Sequence, residues 1–218
     1  MKTDELIVEL TRSLEPVERL RSPLVRLARW AMVSLSVAAL GVLAIGPRAD
    51  ISTAIRQPSF AVLGLMALVT AIGAAASALV LSIPGGERTP AQRGVPLLVG
   101  TVWVLTLVAM LNAGGAAWTR LLALPVHAAC LVEIAGFAVV PAWGLFAMIR
   151  HAAPLSLTWT AVLAALAATS IGVAATQIVC PVDDSAHHLV GHLAPMALLT
   201  LGIAAARRPS LRWSSRLG

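Results

Sequence analysis

The chain has 218 residues, 58% of them apolar and 12% charged, with a net charge of +6, where ordinary soluble domains carry about 25% charged residues. That composition excludes a soluble globule, and a mean hydropathy of +0.86 excludes the polar signature of an unfolded chain. With no Tyr, three Phe and continuous Ala/Leu/Val blocks, the chain also lacks the alternation and aromatic girdles of an outer-membrane barrel, which leaves an all-α, polytopic membrane protein.

The first element is polar enough to stay outside the bilayer. Residues 2–17 read as an amphipathic helix: Asp4 and Glu5 sit where the helix dipole favours anions, and Leu6, Ile7, Leu10, Leu14 and Val17 recur at three-to-four spacing. Pro16 limits its continuation, and Pro23 separates it from the first span. So short a helix is marginal in water, and its apolar face needs a surface. Either it lies on the membrane or under its own bundle, or it enters a groove on a cytosolic partner. Five acidic residues in the first eighteen argue against a lipid-surface helix, which favours Lys and Arg on its polar face.

A hydrocarbon core about 30 Å thick needs about 20 apolar residues per helix. Six stretches qualify: Ala28–Ile45, Phe60–Ile83, Val95–Leu111, Cys130–Met148, Leu155–Val179 and Leu189–Ala206. Pro96, Pro141 and Pro195 kink these helices or mark their first turns. The first span is not expected to be a cleaved signal peptide, since nearly thirty residues precede it and no small-x-small site follows.

Orientation follows from Lys and Arg. With six spans both ends of the chain share one side. That side holds thirteen of the basic residues, including Arg12, Arg26, Arg29, Arg93, Arg150 and Arg208, against Arg48, Arg56 and Arg120 on the other. Both termini are therefore expected in the cytoplasm. The positive charge is a topological signal with contacts to anionic lipid head groups, and implies no direct nucleic-acid binding.

The two cysteines fall at informative places. Cys130 opens the fourth span and Cys180 closes the fifth, so both lie at the extracytoplasmic end of one antiparallel hairpin. Thiols placed so approach the Cα separation of about 4.4–6.8 Å that a disulfide requires; alternatively each is a small buried hydrophobe. Cys180 begins the densest group of ligand-type side chains, Cys180-Pro181-Val182-Asp183-Asp184-Ser185-Ala186-His187-His188-Leu189-Val190-Gly191-His192. His188 and His192 share a face if the sixth helix has begun, and His187 joins through the loop. Thiolate and imidazole suit zinc and softer metals, with a carboxylate to complete the set. The spacing matches no standard structural zinc motif, so transient heavy-metal or zinc capture at Cys130, Cys180, Asp183, His187, His188 and His192 is the expectation, with no cofactor required. The alternative is a solvated loop capped by Asp183 or Asp184.

Glu133 lies one turn after Cys130, and His127 one turn before it. A carboxylate inside a span is a functional-site candidate, here a modulator able to take a proton from a thiol, with snorkelling to the interface as the alternative. His151, beside Arg150, reads as interfacial. Enzyme signatures are absent: Gly85-Gly86 has no following Gly-Lys-Ser, and there is no His-Glu-x-x-His. No small-molecule substrate is expected. A small six-span transporter or channel for a metal ion or small solute is the alternative class, weakened because Glu133 is the lone carboxylate within the spans.

The opening Met1-Lys2-Thr3-Asp4-Glu5-Leu6-Ile7, the arginine-rich approach to the first span, the cysteine entering the fourth and the Cys180-Pro181-x-Asp183-Asp184 segment with His188 and His192 together resemble the NrsF-like membrane anti-sigma factors. These are negative regulators of an extracytoplasmic-function (ECF) sigma factor in the inner membrane of Gram-negative bacteria. The resemblance implies that residues 1–26 sequester a sigma factor, that 27–207 form a six-helix sensor domain and that 208–218 are a basic cytoplasmic tail. It further implies that Cys130 and Cys180 face the periplasm and sense oxidative or heavy-metal stress. The amphipathic pattern makes Leu6, Ile7, Leu10 and Leu14 the candidate sigma contacts.

Overall fold

The computed structural model describes residues 3–12, 20–85, 91–113, 128–152 and 154–206, with side chains described at all of these except 91–93 and 128. Leu14, Pro16, Val17, Arg120, His127 and the tail 208–218 lie outside the described residues. Among the described residues there is no strand, and six helices are long and apolar enough to cross a membrane. The architecture is an all-α bundle.

Helix α1 spans Thr3–Arg12 and has no buried residue. Helix α2 spans Pro23–Ile45; the Ser22 hydroxyl accepts from the Val25 N–H at 3.4 Å, and Pro23 occupies the first turn. Pro23 therefore starts the span, five residues before Ala28, because a proline at the first helical position gives up an N–H that had no partner there. The helix stops at Gly46, whose φ of 96° is open to glycine and costly to other residues. A short turn, α3 (Ile51–Ala54), precedes α4 (Pro58–Leu81) and α5 (Ala91–Ala113). Then come α6 (Ala128–Arg150) and α7 (Leu157–Val179).

The last span is composite. Helix α8 (Ser185–His187) runs into a π-helical stretch, His188–Leu193, and on into α9 (Ala194–Ala205). Pro195 supplies the reason. It lacks an N–H for the Gly191 carbonyl four residues earlier, and its ring crowds that carbonyl. A wider turn relieves both, as membrane helices commonly do.

Helix α7 is the centre, packing on α4, α6, α9 and α2. Its buried face is mostly small: Ala161, Ala164, Ala165, Ala167, Ala168, Gly172 and Ala175. Between lipid-embedded helices packing replaces the hydrophobic effect as the driving force, and small residues let backbones approach. At Gly172 the approach is complete, since a Cβ there would run into the Ile134 carbonyl of α6. Larger side chains fill the remaining space, with Trp30, Leu79, Leu145, Ile149 and Ile171 in one core and Leu63, Trp103, Leu107 and Ile134 in another. Trp30 Nε1 also donates to the Pro141 carbonyl at 2.9 Å, joining α2 to α6.

A buried arginine closes each end of the bundle. At one end Arg26 of α2 donates to the Met148 carbonyl at 2.7 Å and to Ser82 Oγ at 3.5 Å, meeting the C-terminal ends of α6 and α4, where the helix dipole favours a cation. At the other, Arg48 follows α2 and binds the loop that leaves α7.

Candidate functional site

The Arg48 end carries the chemistry. Cys130 sits in the first turn of α6. Cys180 follows α7 in extended conformation, its N–H on the Thr176 carbonyl at 2.7 Å. Pro181 next in line forbids another α turn, so the chain peels away and returns through α8. The α6–α7 hairpin brings the thiols together: Cys130 Sγ lies 4.0 Å from Cys180 Sγ.

His187 completes a triangle. Its Nε2 is 3.3 Å from Cys180 Sγ and 3.6 Å from Cys130 Sγ. The ring rests over Gly191, where a Cβ would come within 2.8 Å of His187 Cε1, so the position excludes a larger residue while the ring stays in place. His192 is the fourth member: one ligand atom from each of Cys130, Cys180, His187 and His192 lies within 4.8 Å of all the others, and all four residues are buried.

The π-helical stretch makes this convergence possible. In an α-helix, at about 100° per residue, His187 and His192 would point about 140° apart. The wider π turn, bonded from i to i+5, closes most of that angle, and the two rings lie 5.2 Å apart between centroids. His188 stands beside them, its Nδ1 3.2 Å from His192 Nδ1. Among the described residues, His192 Nε2 has no hydrogen-bond partner although it is fully buried.

Arg48 braces the loop. Its Nη1 and Nη2 each donate to Asp183 at 2.6 Å, Nε and Nη2 donate to Asp50 at 2.7 and 2.8 Å, and Nη2 reaches the Pro181 carbonyl at 3.2 Å. The Arg48 N–H donates to the Ile178 carbonyl at 3.0 Å. The hydrogen bond from Arg48 holds the Asp50 carboxyl below the usual carboxylate range, and those with Asp50 and Asp183 raise the pKa of the guanidinium above its ordinary value.

Of the residues singled out in sequence, Cys130, Cys180, His187 and His192 converge. His188 is one step removed, touching His192. Asp183 is bound through both carboxylate oxygens to Arg48 and lies outside the four-residue group. Glu133 is half-buried on α6, one turn from Cys130. Leu6, Ile7 and Leu10 project from α1, 40%, 53% and 61% exposed, leaving an apolar stripe without cover, and His151 is exposed just past α6.

Sequence reasoning used Arg48 only to orient the chain. An arginine and an aspartate two apart, directly after Gly46-Pro47 at a span end, was the available signal. The pairing of His187 with His192 was hidden because helical spacing favours His188 with His192.

A family model described as negative regulator of sigma F matches residues 10–213, nearly the whole chain. No curated protein and no solved structure matches it.

Proposed function

We propose that the chain, which belongs to the NrsF family of negative regulators of sigma F, is a membrane-bound anti-sigma factor for a sigma factor of the extracytoplasmic-function class. Negative regulation of a sigma factor is what the family establishes. The finer reading is that residues 1–26 hold the sigma factor in the cytoplasm through Leu6, Ile7, Leu10 and Leu14. Residues 27–207 form the sensor, with Cys130 and Cys180 facing the periplasm of a bacterial inner membrane, and 208–218 are a cytoplasmic tail. No catalytic role and no direct contact with nucleic acid belong to this reading.

The observation that carries it is the separation of two features along one helix. The apolar stripe of α1 lies uncovered just ahead of the Arg26 end of α2, while the thiol pair lies at the Arg48 end. Exposed apolar side chains at helical spacing suit the groove of a protein partner. Two thiols 4.0 Å apart suit a sensor of oxidant or of thiophilic metal. With a peroxide, the thiols give up two electrons and two protons, one Sγ–Sγ bond forms, and the peroxide leaves as water. The sulfurs must then close to about 2.05 Å, which moves α6 against α7.

Helix α2 is the route to the output. Its Arg48 end is fixed to the Cys180 loop and its Arg26 end to α4 and α6, so a shift of that loop is carried into the segment that holds sigma. Moving the equilibrium from 99:1 to 1:99 requires a differential of about 5.5 kcal/mol, within reach of a disulfide or of a cation bound to two thiolates.

Co-purification after mild solubilisation tests the reading. A tagged full-length chain should bring down a sigma factor, and the complex should dissociate on treatment with oxidant or Cd2+. A chain that captures no sigma, or whose residue 1 is accessible only from outside the membrane, would overturn it.

A further inference from the structure

Four donors from three spans converge: Cys130 from α6, Cys180 from the end of α7, His187 from the end of α8 and His192 from within the π-helical stretch. Their spacing can be compared with what a metal demands. Bonds of about 2.3 Å to sulfur and 2.0–2.1 Å to nitrogen at the tetrahedral angle place sulfurs about 3.8 Å apart and sulfur about 3.6 Å from nitrogen. Here the sulfurs are 4.0 Å apart, and His187 Nε2 is 3.6 and 3.3 Å from them. The same pair would have to contract by about 2 Å to form a disulfide, whereas Cys130, Cys180 and His187 already stand at the spacing a cation needs, with a His192 nitrogen within 4.8 Å of each.

The imidazoles give a second, independent indication. When His192 Nδ1–H donates to His188 Nδ1, the His192 lone pair sits on Nε2, the buried atom with no hydrogen-bond partner. A metal-ligating histidine has this arrangement, one ring nitrogen on the cation and the other held by an orienting partner. Hydrogen bonding among the four side chains alone leaves that nitrogen unsatisfied. Asp183 is engaged by Arg48, so the donor set is two sulfurs and two nitrogens with no carboxylate.

We propose that Cys130, Cys180, His187 and His192 form a closed four-coordinate site for one thiophilic d10 cation of the Zn2+ type, with His188 orienting His192. Cation binding and thiol oxidation are then mutually exclusive states of one site. The cation is held by both thiolates and crosslinks α6, the end of α7 and the π-helical stretch; a disulfide consumes both thiolates and expels it. The inference deepens the sensing role proposed for the thiols and rests on that reading for what the site does. The existence of the site rests on geometry.

The experiment uses the full chain, co-expressed with its sigma factor and purified reduced in mild detergent, with Zn2+ as the probe. Elemental analysis should find about one zinc per chain, and X-ray absorption at the zinc edge should find two sulfurs and two nitrogens, a readout that needs no variant. His187→Gln and His192→Gln should each weaken zinc at least ~10-fold, and His188→Asn by ~10–100-fold, the usual cost of losing an orienting partner. Diamide should then release the zinc to a chelating dye in step with thiol loss. In that step the two thiolates give two electrons to form the Sγ–Sγ bond, the diazene takes them with two protons from solvent to become a hydrazine, and Zn2+ leaves. An oxygen-rich or all-sulfur shell, zinc retained after complete oxidation, or no stoichiometric binding would overturn the site. Failure to bind zinc in a sample that retains sigma removes the site and spares the regulator; zinc bound as described by a chain that never captures sigma does the reverse.

Discussion

Arg48 and Asp183 lie 135 residues apart in sequence and meet through two parallel N–H···O bonds of 2.6 Å each. This fork joins the end of α2 to the segment that starts at Cys180. Planar two-point geometry is particular to arginine, since lysine offers a single point charge. The same guanidinium also holds Asp50, so one side chain that is 1% exposed organises two acidic loops.

Arg48→Lys should therefore lower the melting temperature in detergent by an amount equivalent to about 1–2 kcal/mol, and Arg48→Met by about 2–4 kcal/mol. A buried charge pair broken from one side typically costs about 3–5 kcal/mol, reduced here because both carboxylates reach solvent. Either variant should also raise basal sigma activity, by loosening α2. Unchanged melting in Arg48→Met would show that the fork carries no stability.

The Asp50 arm has a defined pH dependence. Its carboxyl is depressed in the folded chain by the bond from Arg48, so its stabilising contribution is fully present above the ordinary aspartate pKa of about 3.9 and fades as pH falls through the lower folded value. The difference in melting temperature between the natural chain and Asp50→Asn should be constant from pH 7 to 5 and shrink only below about pH 4. A difference that vanishes already at pH 5 would contradict the depressed carboxyl.

Replacing Cys130 and Cys180 by serine should abolish induction of the sigma regulon by oxidant or Cd2+ and leave basal repression intact. Reporter transcription with and without inducer measures both. Normal induction in the double variant removes the thiols from sensing.

Leu10→Asp places a charge in the centre of the uncovered stripe on α1. Sigma should be released constitutively, with capture reduced at least ~10-fold, as expected when an apolar anchor worth about 1.5–3 kcal/mol is lost, while the protein still accumulates in the membrane. Undiminished capture of sigma would exclude the stripe as its binding face.

Gly172→Ala adds a methyl group against the Ile134 carbonyl. It should destabilise the bundle by about 1–3 kcal/mol, in the range of overpacked cores, and slow oxidative closure of the thiols by spreading α6 from α7. Melting and the rate of thiol loss under diamide report the two effects separately.

Much of the bundle was legible in the sequence because bilayer thickness sets a length that composition alone can meet. The six spans are found with ends displaced by up to five residues, the largest shift at Pro23, where a helix start resembles a helix break. The cysteines were placed at one end of a hairpin because topology fixes depth. The histidine geometry was not legible. It depends on a π turn forced by Pro195, and a reading at 3.6 residues per turn pairs His188 with His192 and leaves His187 in a loop. Arg48 was hidden for another reason: its partner Asp183 is brought to it only by the packing of α2 on α7, which no local pattern encodes.

The position of α7 has a further consequence. Because four neighbouring helices seat on this one alanine-rich rod, none of them can slide along it without disturbing the footing of the rest. A pull on its tip at Cys180 is shared around the whole circumference, so the assembly is built to snap between a few discrete stacks and has little room to bend by degrees. Alanine-to-valine changes along the rod should consequently alter how hard the sulfur end must be pulled before anything gives, even at positions far from any sulfur.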